Sequence, residues 1–263
     1  MVNRVKTKIK GLILDMDGVL WKGQHTIGNL QEIFSEINSL GLKYIFTTNN
    51  STSTPEQYQQ RLKSYGVIVS SSQIINSTLA SLEILKSFMP NGGPIYFIGE
   101  DSALETLTKA GYKHTNENPK VVLVGLDRFV NYEKLRKATI FIREGVKFIG
   151  TNPDKTLPVP EGEIPGAGAI LALLEASTNV KPIIAGKPEP LMVKMALSRL
   201  ALHQDEVLVI GDRYDTDIIG GHAAGCMTAM VLSGVSTRDE LKDQNFQPEH
   251  VSDTLEELLK LFS

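Results

Sequence analysis

The sequence predicts an α/β protein with a mostly parallel sheet and helices on both faces. Three observations lead there. Short apolar runs alternate with helix-patterned segments along the whole 263-residue chain, the rhythm of repeated βαβ units. The runs are apolar at nearly every position, as in Leu12-Ile13-Leu14, which suits strands covered on both faces. Several of them end abruptly in polar residues, as strands do at the binding edge of an open sheet.

Taken in order, strand 9–15 ends in Asp15-Met16-Asp17-Gly18. Helix 29–40 carries apolar residues at 30, 33, 34, 37 and 40, with Gly41 as its stop. Strand 43–48 runs into Thr47-Thr48-Asn49-Asn50-Ser51, and helix 55–65 stops at Gly66. Strand 94–98 and helix 102–110 follow, then strand 121–124 and helix 131–144, the helices closed by Gly111 and Gly145. Strand 147–150 leads into a loop rich in proline, with Pro153, Pro158, Pro160 and Pro165; a connection that long is often functional. After helix 167–176, strand 182–185 ends in Gly186-Lys187-Pro188 and helix 190–200 begins. Strand 206–211 ends in Gly211-Asp212-Arg213-Tyr214-Asp215-Thr216-Asp217, followed by helix 215–224, strand 227–232 and helix 252–262.

The bulk numbers narrow the function. Apolar residues make up 41% and charged residues 22% of the chain, which is ordinary for a globular protein. A net charge of −3 offers no basic field for nucleic acid or an anionic membrane. One cysteine, Cys226, allows no internal disulfide and fits a reducing, cytoplasmic compartment. Basic residues precede Leu12-Ile13-Leu14 near the N-terminus, but that apolar run is cut off by Asp15 and Asp17, so it is not read as a signal peptide. No run approaches the ~18 apolar residues of a membrane span.

Each polar strand end has an ordinary reading on its own. Asp15 and Asp17 could solvate a turn closed by Gly18. Thr48 or Ser51 could cap a helix, Lys187 could be a surface lysine, and Asp212 and Asp217 could serve the N-terminus of the helix behind them. If the four strands are parallel, however, their ends share one edge. That edge then gathers Asp15, Asp17, Thr48, Asn49, Lys187, Asp212 and Asp217. Clustered carboxylates repel one another unless a cation lies among them. A few hard oxygen ligands suit Mg²⁺, which shares its coordination with a phosphate. Lysine and threonine can then bind the remaining phosphate oxygens. The absence of a His/Cys cluster argues against zinc.

Asp15-Met16-Asp17-Gly18, Thr48, Lys187 and Gly211-Asp212-Arg213-Tyr214-Asp215-Thr216-Asp217 resemble, in this order, the four-part signature of the haloacid dehalogenase superfamily. The segments LDMDGVLWKG, TTNNST, TNPDKTLPVPEGEIPGAGAI, GKPEP and GDRYDTDI look like its NagD-like and p-nitrophenyl phosphatase branch. The resemblance implies a Rossmann-like core with an inserted α/β cap. It implies that Asp15 attacks phosphorus to form an aspartyl-phosphate and that Asp17 acts as general acid and then base. Asp15, the Asp17 backbone carbonyl and Asp212 would hold Mg²⁺, with Asp217 on the ion or behind it. Thr48, Asn49, Asn50 and Lys187 would hold the phosphoryl oxygens. Asp17 favours phosphoryl chemistry over dehalogenation, since a departing halide needs no acid.

Between Asp15 and Thr48 there is room for one helix and one strand. The interval from Thr48 to Lys187 is several times longer and must contain the insert. We set the core at 1–80 and 182–263 and the cap at 81–181. Asn152 and Asp154 are its candidate specificity residues, with a plain Asx-Pro turn as the alternative. Trp21 and Cys226 read as packing residues. The implied substrate is a small-molecule phosphomonoester: p-nitrophenyl phosphate, or a metabolite such as a nucleoside monophosphate, a sugar phosphate or phosphoglycolate. The implied assembly is a homodimer through the cap. A phosphotransferase or mutase using the same aspartyl-phosphate is the alternative, and a non-catalytic phosphometabolite-binding protein a more distant one.

Overall fold

The computed structural model describes residues 8–159 and 161–262; the basic residues before Lys8 and Pro160 of the proline-rich loop lie outside that set. The first stretch of chain forms β1 (Gly11–Leu14), the short hairpin β2 (Trp21–Lys22) and β3 (His25–Thr26), α1 (Leu30–Ser39), β4 (Lys43–Thr48), α2 (Pro55–Ser64) and β5 (Ile74–Asn76). The middle stretch forms α3 (Ser77–Phe88), β6 (Gly93–Ile98), α4 (Asp101–Lys109), β7 (Tyr112–His114), β8 (Val121–Val124), α5 (Tyr132–Arg143), β9 (Lys147–Gly150), the hairpin β10 (Thr156–Val159) and β11 (Gly162–Pro165), α6 (Ala167–Thr178) and β12 (Ile183–Ile184). The last stretch forms α7 (Leu191–Leu200), β13 (Val207–Gly211), a π-helical turn Tyr214–Ile218 running into α8 (Ile219–Ala223), β14 (Met227–Val231), β15 (His250–Ser252) and α9 (Leu255–Leu259).

The chain divides into two compact units. The first holds residues 8–48, 55–75 and 188–262; the second holds 49–54 and 76–187. The first unit's sheet has the order β15-β14-β13-β1-β4-β5. β1 pairs in parallel with β4 on one side and β13 on the other. The chain therefore winds outward from β1 in one direction and later in the opposite one. The gap between β1 and β13 is the topological switch point, where an open sheet of this kind binds its ligand. β1 is covered on both faces: Leu12, Ile13 and Leu14 have no exposed surface. On α1, Leu30, Ile33, Phe34 and Ile37 form the buried stripe, with Phe34 against Tyr44 and Phe46 of β4.

The second unit has its own parallel sheet, β12-β9-β8-β6-β7. Its two cores lie around Ile95, Leu107 and Leu123, and around Ile98, Val124 and Leu174. Helix α3 belongs to this unit although the predicted insert begins only at residue 81. Its N-cap Asn76 accepts from Leu79 N and donates to Ser53 O, and its Ser77 hydroxyl donates to Asn49 O. These bonds bring 49–54 into the same unit.

The α/β class and the parallel sheets agree with the sequence. The differences are local. Helix α3 was not predicted, because its first turn of Ser77 and Thr78 reads as a turn. β5, β7, β15 and both hairpins are too short to show a period. The predicted helix 215–224 is a π turn followed by one short helix, and 252–262 yields only Leu255–Leu259 as helix. The proline-rich loop is largely the β10–β11 hairpin.

Candidate active site

In the first unit, β1 and β13 deliver Asp15 and Asp212 to the switch point. The Asp15 N–H still donates across the sheet to Ile210 O at 2.9 Å, so its backbone is fixed by the strand pairing. Asp217 comes from the π turn, a helical irregularity common at functional sites. Its carboxylate accepts from the Arg213 N–H at 3.2 Å and the Thr216 hydroxyl at 3.4 Å. The Asp212 carboxylate accepts from Val235 N–H at 2.8 Å. One carboxylate oxygen from each of Asp15, Asp212 and Asp217 lies within 4.8 Å of the others, and all three residues are buried. The backbone makes space for them. Gly18 has φ +86°, and a Cβ there or at Gly234 would overlap the Asp212 carboxylate.

Three buried carboxylates this close cost much free energy as anions unless a cation compensates them. Hard oxygen donors in this number fit a divalent ion such as Mg²⁺.

Asp17 lies one turn of loop beyond Asp15 and is exposed. The loop folds back so that Gly18 N–H donates to Trp21 O at 2.8 Å, and the Trp21 indole Nε1–H donates to Asp17 Oδ1 at 3.0 Å. Thr48 is buried at the end of β4. Tyr58 of α2 is buried near these groups. Burial, then the charge of Asp17, pushes its phenol well above the ordinary range, and the Thr48 side chain pulls the other way. Tyr58 therefore remains a neutral hydroxyl.

In the second unit, Asn49 is the centre of a hydrogen-bonded knot. Its side-chain oxygen accepts from Lys187 N–H at 2.8 Å, and its side-chain nitrogen donates to Lys187 O at 2.9 Å and to Asp154 Oδ1 at 3.1 Å. Asn152 donates to Asn49 O at 2.7 Å and accepts from Asp154 N–H at 3.2 Å. Both N–H groups of the Asn49 amide are engaged within the protein. Lys187 is buried, with 2% of its surface exposed. Asn50 Oδ1 accepts from the N–H and hydroxyl of Thr52 at 2.8 and 2.7 Å, an Asx turn.

The structure thus gathers Asp15, Asp212 and Asp217 in one unit and Asn49, Asn152, Asp154 and Lys187 in the other. Sequence reasoning gave Trp21 a packing role only and did not single out Tyr58. An aromatic residue six positions after the first aspartate was visible, but its N–H partner was not. Cys226 is buried and unpaired, and burial pushes its thiol up to about 11, so it is an inert core residue.

A haloacid dehalogenase-like hydrolase profile matches residues 12–113, and a HAD-hydrolase-like profile matches 184–258. An acid sugar phosphatase of Staphylococcus saprophyticus is 35% identical over 252 residues, covering 95% of this chain and 97% of that protein. Among solved structures, 4-nitrophenylphosphatase from Thermotoga maritima superposes with a TM-score of 0.93 at 32% identity, over 98% of this chain and 99% of the other. NagD from E. coli K-12 superposes with a TM-score of 0.86 at 33% identity, over 94% and 97%. Signature order, switch-point carboxylates and similarity over nearly the full length together make this chain a NagD-like member of the haloacid dehalogenase-like hydrolases.

Proposed function

We propose that the protein is a Mg²⁺-dependent phosphatase of small phosphomonoesters that works through an aspartyl-phosphate on Asp15. The buried trio Asp15, Asp212 and Asp217 at the switch point carries this reading. Asp15 and Asp212, with the Asp17 backbone carbonyl, would hold the ion, and Asp217 would lie on it or behind it. When bound, the ion supplies the positive charge that lets a carboxylate approach a phosphate dianion.

The chain's own groups perform the rest. An Asp15 oxygen forms a bond to phosphorus as the bond to the leaving alcohol breaks. Asp17 gives its proton to that alcohol. Asp17 then takes a proton from water as the water oxygen attacks phosphorus, releasing inorganic phosphate and restoring Asp15. Thr48 and Lys187 bind phosphoryl oxygens. The Asn49 side chain serves this step through Lys187, whose backbone it grips from both sides. The second unit acts as a cap with substrate-selecting groups near Asn152 and Asp154, and it carries the contact of a homodimer.

Sugar phosphates head the substrate panel because of the acid sugar phosphatase relatives, with nucleoside monophosphates and phosphoglycolate after them. No helix among the described residues is long and apolar enough to cross a membrane, and a buried, unpaired Cys226 suits a cytoplasmic location. The test is phosphate release from p-nitrophenyl phosphate with Mg²⁺ and with EDTA, for wild type and Asp15→Asn. We expect turnover that needs Mg²⁺ and vanishes in the variant. Wild type inert on that ester and on the whole panel would overturn the proposal and favour a transferase.

A further inference from the structure

We propose that Trp21 is the positioning residue for Asp17: its indole N–H, braced by Arg61, fixes which carboxylate oxygen transfers the proton. This inference rests on Asp17 being the general acid. Three observations carry it. Trp21 has no exposed surface, yet its Nε1 lies 3.0 Å from Asp17 Oδ1. The Arg61 guanidinium lies over the indole ring, 3.9 Å from its centroid. Arg61 also donates to Gly23 O, and the Tyr65 hydroxyl donates to Gln24 O at 3.0 Å. Helix α2 and Tyr65 just past its end thus hold both the ring and the turn that follows it.

The chemistry follows from what an indole can do. Its N–H donates and never accepts. An oxygen that accepts this bond gains nothing by carrying the proton itself. The indole bond therefore favours the transferable proton on Asp17 Oδ2, and exchanging the two oxygens by rotation would break that bond. A cation on the ring face attracts the indole π-cloud and steadies it. Proton transfer needs its partner atom at hydrogen-bond distance in a defined direction, and the indole bond gives the Asp17 carboxyl such a direction.

The sequence makes a clean test available, because Trp21 is the single tryptophan. Expression in a tryptophan-auxotrophic host supplied with benzothienylalanine replaces only this residue, keeping the ring shape and removing the N–H. Turnover is then followed over a series of substituted phenyl phosphates with good to poor leaving groups. We expect kcat/KM to fall by about 10-fold or more for poor leaving groups, within the range general acids contribute, and by about 3-fold or less for p-nitrophenyl phosphate. KM and the melting temperature should stay near wild type. Asp17→Asn should show the same bias more strongly. Protein labelled with 5-fluorotryptophan should also show a ¹⁹F shift when Asp17→Asn is introduced.

If the analogue lowers all esters equally, or none, while Asp17→Asn shows the bias, Trp21 is a packing residue and the inference fails. If Asp17→Asn shows no bias, the assignment of Asp17 as acid fails instead. An unchanged ¹⁹F signal in Asp17→Asn would count against the hydrogen bond itself.

Discussion

The carboxylate cluster of the first unit and the amide knot of the second are opposite kinds of construction. Asp15, Asp212 and Asp217 place three like charges within 4.8 Å in a buried setting, an arrangement that asks for a cation. Asn49, Asn152 and the Lys187 backbone meet donor to acceptor, each at 2.7–2.9 Å. Here donors meet acceptors within the protein, the Asp154 carboxylate among them. The difference teaches where each half spends its stability: the first is held back from its optimum for chemistry, while the second is a rigid mount for one lysine.

Breaking the charged half should have the largest effect. Asp15→Asn should lower turnover by about 10⁴-fold or more, as loss of a nucleophile does elsewhere, with the fold retained; steady-state kinetics and a melting curve check both. Asp212→Asn separates charge from ligand. It should lose activity, yet melt no lower than wild type without metal, because one of three repelling charges is gone. Wild type should gain about 2.7 kcal/mol at a Mg²⁺ concentration near a hundred times Kd, and the variant should gain little.

Breaking the hydrogen-bonded knot should act on stability and binding together. Asn49→Ala removes three side-chain hydrogen bonds and leaves Lys187 backbone groups buried. At about 1 kcal/mol for each lost bond, urea unfolding should show a loss of about 3 kcal/mol, and KM should rise as Lys187 loses its mount. A rise in KM with no loss of stability would mean that Asn49 contacts substrate directly.

The smallest effects sharpen the comparison through pH. Each unit has a histidine whose pKa is lowered mainly by burial: His250 in the first, and His114 in the second, where Lys134 and Lys137 add to the effect. His114 Nδ1 also accepts from Phe97 N–H at 3.1 Å. Folding therefore favours the neutral ring. The associated stability is fully present above the ordinary value of 6.5 and is lost as pH falls through the lower folded value. Urea midpoints should fall on acidification below about 6.5, and His114→Asn, which keeps an acceptor, should flatten part of that fall.

The legible parts of the sequence were those with a local signal. β1, β4 and β13 announced themselves because an apolar run ended in Asp15, Thr48 or Asp212. The glycine stops at 41, 66, 111 and 145 marked the helix ends well. What stayed hidden depends on distant partners. Nothing near Asn49 says that its amide meets Lys187 across most of the chain, so it read as a phosphate ligand by resemblance. Nothing in GVLW says that the indole turns back on Asp17. Helix α3 was missed because Asn76, Ser77 and Thr78 favour turns by themselves and become a helix start only when capped and bonded to Ser53 and Asn49.

The central claim is a covalent phosphoryl group on Asp15. The most direct test is to quench the enzyme during turnover, reduce the acyl phosphate with borohydride, and map the product by tandem mass spectrometry. The account predicts homoserine at position 15 in wild type and none in Asp15→Asn. Homoserine at another aspartate, or turnover with none at all, would contradict it.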